Sequence, residues 1–86
     1  MNVKVLFFAS LREAIGVESL AVSLAEGTFY ELRVVLVDML GELSDALWAD
    51  NVRIARNQEL LGMQLIESLV LADGDELAFL PPVTGG

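Results

Sequence analysis

Val3, Val5 and Phe7 alternate with Lys4, Leu6 and Phe8, the two-residue period of a strand that ends near Ala9. Ser10 followed by Glu13 has the spacing of a capping box, and Gly16 closes the short helical turn it opens. Leu20, Val22 and Leu24 alternate again and predict a second strand, paired with the first in a hairpin-like unit. Gly27 breaks the chain, and Thr28 with Glu31 forms a second capping box opening the main helix. Phe29, Leu32, Val35, Leu36, Met39 and Leu40 then recur every three or four residues, one buried face of a helix that Gly41 ends. The strand-like composition of Val34 to Val37 works against that helix, and the longer period outweighs it.

Beyond it, Ser44 to Trp48 reads as an irregular helical turn and Val52 to Arg56 as a third strand. Asn57-Gln58 is a turn, Glu59 to Leu61 a short return strand, and Asp73-Gly74 a tight turn before a last strand, Glu76 to Leu80. Five strands and one long helix predict an α+β fold of β-grasp (ubiquitin-like) type, a mixed sheet with the helix on one face. The first and last strands then run parallel in the centre. A ferredoxin-like sandwich is the alternative, and it calls for a second long helix.

The 86 residues suit one domain, residues 1–80, followed by an extended tail, residues 81–86. A chain this size buries only about 60–65% of its unfolded surface, yet 55% of its residues are hydrophobic. Some of that excess lies outside the core, and exposed apolar patches mark partner surfaces. No apolar run approaches the roughly 18 residues of a membrane span, and no charged start precedes an apolar stretch, so neither a membrane segment nor a signal peptide is expected. The net charge of −8 argues against nucleic acid, whose phosphates call for Lys and Arg. Cys is absent, which fits a reducing cytoplasm, and His is absent too. The usual thiolate nucleophile, general base and neutral metal ligand are therefore all missing.

The remaining polar clusters carry little chemistry. Asp73-Gly74-Asp75-Glu76 lacks the further ligands of a calcium loop and reads as a turn with solvated carboxylates. No metal site and no bound cofactor are expected. Strand periodicity says more: with Val5, Phe7, Leu77 and Phe79 facing the helix, Leu6, Phe8, Ala78 and Leu80 face the other way. Together with Leu60 or Leu61 they make an apolar outer face, and Phe8, Leu60 and Leu80 are the candidate partner-docking residues.

The chain closes on Pro81-Pro82-Val83-Thr84-Gly85-Gly86. Prolines cannot continue a paired strand, so the sheet ends there and the tail projects away. Two glycines pass through a slot too narrow for any Cβ, and six extended residues reach roughly 20 Å. The rival reading is a frayed end of small residues.

Val3 to Ala9, Asn57-Gln58, the run Asp73 to Phe79 and the closing Pro-Pro-Val-Thr-Gly-Gly together resemble the small-subunit family of molybdopterin synthase, the MoaD family of ubiquitin-like sulfur carriers. The likeness spans nearly the whole chain and is strongest at its two ends. Thiazole-pathway carriers share Gly-Gly but usually lack the Pro-Pro before it. Leu80 stands where the family often has an aromatic residue, and Arg56 where it often has a small apolar one.

The resemblance implies a C-terminal Gly86 that is adenylated at the expense of ATP by a partner similar to ubiquitin E1. A sulfurtransferase then supplies sulfur, giving a Gly86 thiocarboxylate. Pro81, Pro82, Val83, Thr84 and Gly85 would position that group inside the large subunit of the synthase, in a heterotetramer. There sulfur passes to a cyclic pyranopterin precursor to build the dithiolene that holds molybdenum or tungsten. Three alternatives stay open: a sulfur carrier for thiazole or tRNA thiolation, a ubiquitin-like modifier conjugated through Gly86, and an interaction domain whose Gly-Gly is incidental.

Overall fold

The sheet is built around two parallel strands that are the first and last of the chain. In the computed structural model, which describes residues 1–82, the elements run β1 (Asn2–Phe7), α1 (Ala9–Ile15), β2 (Ser19–Ser23), α2 (Phe29–Leu40), a 3-10 segment (Gly41–Trp48), β3 (Arg53–Arg56), β4 (Glu59–Leu60), a 3-10 turn (Met63–Leu65) and β5 (Glu76–Leu80). The strand order is β2-β1-β5-β3-β4, with β1 and β5 parallel and the other neighbours antiparallel. This is the expected β-grasp, and the ferredoxin-like alternative falls because α2 is the one long helix among the described residues.

Alternation fixes which side of the sheet meets the helices. Val3, Val5 and Phe7 of β1 are buried, as are Leu77 and Phe79 beside them on β5. Val5 is in register with Leu77 and Phe7 with Phe79, so the inner face carries aligned apolar pairs. The Phe7 and Phe79 rings stack at 6.0 Å, and Trp48 from the 3-10 segment meets Phe79 edge-on, also at 6.0 Å. The Arg33 guanidinium lies over the Trp48 ring, 4.8 Å from its centre.

Leu32 and Leu36 of α2 are fully buried, and Phe29, Val35 and Leu40 pack at the margin of the core. Met39, expected on the same face, is 48% exposed. It lies in the last turn, where α2 packs against the 3-10 segment and Leu40 makes the contact with the core. At the other end Thr28 caps the helix, its hydroxyl accepting the Glu31 N–H at 3.1 Å. The Glu31 carboxylate does not return to Thr28. It accepts from the N–H groups of Ala25 (2.6 Å), Glu26 (2.8 Å) and Gly27 (2.8 Å), so it organises the loop before the helix.

The first capping box does not form. α1 begins at Ala9 with Phe8 as its N-cap, no side chain caps it, and Ser10 lies inside the first turn. Phe8 N–H still bonds Phe79 in the sheet, while Phe8 C=O already accepts from Leu11 and Arg12. The strand therefore passes into the helix without a linker residue, and Ala9 takes up the bend at φ 49°. Gly16 closes α1 as expected, with φ 94° and its N–H on the Arg12 carbonyl.

Candidate functional site

The outer face of the sheet is where sequence places a docking surface, and the strand registers show what it contains. One row runs across four strands: Leu6 beside Ala78, Ala78 beside Ala55, Ala55 beside Leu60. A second row, one step toward the end of β5, holds Leu80 beside Arg53, with Phe8 next to them through its N–H bond to Phe79. Because Ala55 and Ala78 are small, the middle of the first row is low and its flanks are high. The result is a trough of about 420 Å³ lined by Leu6, Phe8, Ala55, Ala78 and Leu80, with Gln58 and Glu76 at its polar edge.

Of the three candidate docking residues, Phe8 and Leu80 line this trough together, and Leu60 stands one strand beyond it, paired with Ala55. Phe8 is 44% and Leu60 63% exposed, large apolar side chains with most of a face in solvent. Ala55 and Gln58 were missed from sequence. The signal for Ala55 was present in its alternation with buried Ile54, but an alanine draws no attention as a contact residue.

β1 and β5 are parallel, so both end at the same edge of the sheet, and the chain leaves β5 beside Phe8. Pro81 is half-buried against that edge and Pro82 is exposed, and neither belongs to a strand. Val83, Thr84, Gly85 and Gly86, the rest of the expected insertion segment and its reactive end, lie outside the described residues. A larger depression, about 520 Å³, lies on the helical side between Phe29, Arg33, Asp50 and Ile66. It shares no strand with the tail, so the trough is the site that the tail's exit selects.

The Asp73 to Glu76 turn is a correction. Asp75 was expected to be solvated and is 9% exposed. Its carboxylate accepts from Ala72 N–H (2.8 Å) and Asn57 Nδ2 (3.0 Å) and pairs with the Arg56 guanidinium at 2.7 Å. The Ala72 bond, then the Asn57 bond and the Arg56 charge, hold the Asp75 carboxyl below the usual carboxylate range against the opposing effect of its burial. Asp73 is exposed, its Oδ1 accepting the Asn2 N–H at 2.6 Å. Among the described residues no group of three or more acidic side chains is gathered in a way that could hold a metal.

The β-grasp fold of this chain has known relatives. The ThiS family model matches residues 5–86. The chain belongs to the ThiS family. The molybdopterin synthase sulfur carrier subunit of Escherichia coli K12 is 38% identical over 84 residues, covering 98% of this chain and 99% of that protein. Among solved structures, the complex of subunits 1 and 2 of the molybdopterin-converting factor from Helicobacter pylori contains a chain with a TM-score of 0.72 at 31% identity, each covered in full. The small archaeal modifier protein 1 of Methanosarcina acetivorans superposes with a TM-score of 0.76 at 28% identity, over 99% of this chain and 96% of its own. This ThiS-family chain thus resembles both carriers and modifiers.

Proposed function

We propose that the chain is the sulfur carrier subunit of a molybdopterin synthase. The observation that carries this reading is the end-to-end likeness to the Escherichia coli sulfur carrier subunit, at 38% identity. In this reading residues 1–80 are the carrier domain and residues 81–86 its delivery arm. A C-terminal carboxylate, with a pKa of about 3.3–3.7, is ionised at neutral pH and a poor electrophile. An E1-like partner joins it to AMP from ATP, releasing pyrophosphate. The terminal sulfur of a sulfurtransferase persulfide attacks the Gly86 carbonyl and AMP leaves; a thiol then cleaves the S–S bond of the resulting acyl disulfide, giving the thiocarboxylate and a new disulfide. The chain needs no cysteine for this, since the sulfur is held on Gly86.

The outer-face trough supplies the docking surface for the large synthase subunit, with Phe8, Leu60 and Leu80 as anchors. Apolar contact there offsets the entropy lost when the tail is ordered on insertion. The acid–base groups for sulfur transfer to the pyranopterin precursor then belong to the large subunit. In this reading the chain works in the cytoplasm beside these partners; no helix of the described residues is long and apolar enough to cross a membrane.

The test is the intact mass of the chain after incubation with ATP, an E1-like enzyme and a sulfur donor. Replacement of one oxygen by sulfur at Gly86, with the sulfur lost to the pyranopterin when the large subunit is added, is the expected result. An unchanged mass overturns it. The likeness to the small archaeal modifier protein favours a second reading, conjugation through Gly86 to lysines of other proteins. Stable adducts in place of a thiocarboxylate are its signature. A thiocarboxylate that serves only a thiazole synthase or a tRNA-thiolating enzyme identifies a carrier of another pathway.

A further inference from the structure

The docking surface ends on Leu60, and Leu60 belongs to a strand of only two residues. β4 is held to β3 by two register pairs, Ala55 with Leu60 and Arg56 with Glu59, and by the Leu61 N–H bond to the Ile54 carbonyl at 2.9 Å. The turn that launches it, Asn57-Gln58, has both residues left-handed, at φ 50° and 72°. Asn tolerates that region, whereas Gln gains nothing from it. β4 is the edge strand of the sheet and the shortest in it. With so short an outer strand, contacts from β5 have scope to set where Leu60 stands.

Asp75, at the threshold of β5, is placed to do so. Asn57 is clamped at both ends of its side-chain amide: Nδ2 donates to Asp75 at 3.0 Å, and Oδ1 accepts the Glu76 N–H at 2.9 Å. Its backbone N–H donates to the Glu76 carbonyl at 2.8 Å. The neighbouring Arg56, which pairs with Glu59 of β4, is held by the same carboxylate at 2.7 Å. One buried acceptor therefore gathers the last residue of β3, the first residue of the turn and the Ala72 backbone. Each bond points a donor at the carboxylate, so an amide in its place would set N–H groups against N–H groups.

We propose that Asp75 is a positioning residue for partner docking, holding the β3–β4 hairpin against β5 through Asn57 and Arg56 and thereby setting Leu60 at the edge of the trough. The proposal rests on the outer face being the docking surface, and the experiment separates the two. The affinity of the intact chain for its own organism's large synthase subunit is measured by calorimetry for Phe8→Ala, Leu60→Ala, Asp75→Asn and Asn57→Gly, and for the pairs. Asn57→Gly guards against a folding failure of Asp75→Asn, since Gly keeps the left-handed turn and removes only the clamp.

Asp75→Asn and Asn57→Gly are each expected to weaken binding by about 3- to 30-fold, within the range of coupling between connected residues. In the Leu60→Ala background that loss should shrink to under about twofold, because the contact it serves is gone, while in the Phe8→Ala background it persists in full. Equal coupling to both positions would mean a general loosening of the fold and overturns the proposal. Wild-type affinity in both Asp75→Asn and Asn57→Gly, with Leu60→Ala weakened, overturns it as well. Wild-type affinity in Leu60→Ala and Phe8→Ala alike removes the docking surface itself, and the proposal with it.

Discussion

Two carboxylates in this chain hold backbone that no regular element holds. Glu31 satisfies three consecutive loop N–H groups, those of Ala25, Glu26 and Gly27, and these bonds lower its pKa in that order of importance. Asp75 does the same for Ala72 and adds Asn57 and Arg56. Both groups have folded pKa values below their unfolded ones. Their stabilisation is complete above about pH 4.3 for Glu and 3.9 for Asp, and is lost as pH falls through the lowered folded values. Urea midpoints measured from pH 7 to pH 2 should show Glu31→Gln and Asp75→Asn less stable than wild type at neutral pH. The gap should close on acidification; a constant gap would mean that the charge is irrelevant. For buried Asp75 the loss at pH 7 should be about 1–3 kcal/mol, the cost of unpairing a buried charge-assisted bond. Phe8 presents the opposite case, a side chain with little to hold. Phe8→Ala should leave stability within about 0.5 kcal/mol and weaken large-subunit binding by more than about 1 kcal/mol. Chemical denaturation and calorimetry on the same preparation check both halves.

At the scale of elements, the joint between β2 and α2 leaves less room for a Cβ than any other described glycine position. Gly27 sits at φ 81°, its carbonyl accepts the Leu71 N–H, and Thr28 bridges Val70. A Cβ there would come within 2.6 Å of the Leu71 carbonyl oxygen, whereas at Gly16, φ 94°, it would meet nothing within 4 Å. Gly16→Ala should cost only the left-handed strain, about 1 kcal/mol, and Gly27→Ala clearly more, because backbone must move as well. Thermal melts of the two variants decide it, and equal melting temperatures would refute the steric account. The elements themselves were largely legible in the chain: alternation in Val3 to Phe7 and Glu76 to Leu80 gave both central strands, and Thr28 marked the start of α2. What escaped depends on partners distant in sequence. Ser10 and Glu13 have the spacing of a cap, but the bond from Phe8 to Phe79 keeps the chain in the sheet until the residue before the helix. Asp75 looks like any turn carboxylate until Asn57, 18 positions earlier, is folded beside it. Of the tail, the described residues reach Pro82, so the sequence still carries the reading of Gly85 and Gly86.

At the scale of the whole molecule, the proposed docking surface and the proposed reactive end fall on different parts of one chain. The trough is built from β1, β3 and β5 and belongs to the folded sheet. The proposed reactive group lies six residues past the last strand, a reach of roughly 20 Å when extended. If the two are separable, removing one must leave the other. A chain ending at Pro82 should keep the melting temperature of the full chain, since it retains the whole core cluster of the described residues. It should still bind the large subunit through the trough and compete with the full chain for it, while accepting no sulfur. Gly85→Val tests the same separation without shortening anything: the fold and the trough are untouched, but a branched Cβ must pass where glycine passes. It should dock and fail in adenylation or in sulfur transfer. Competition assays with the thiocarboxylated full chain read all of this at once. If the truncated chain fails to compete, the tail rather than the trough supplies the affinity, and the surface around Phe8 and Leu60 must serve another partner.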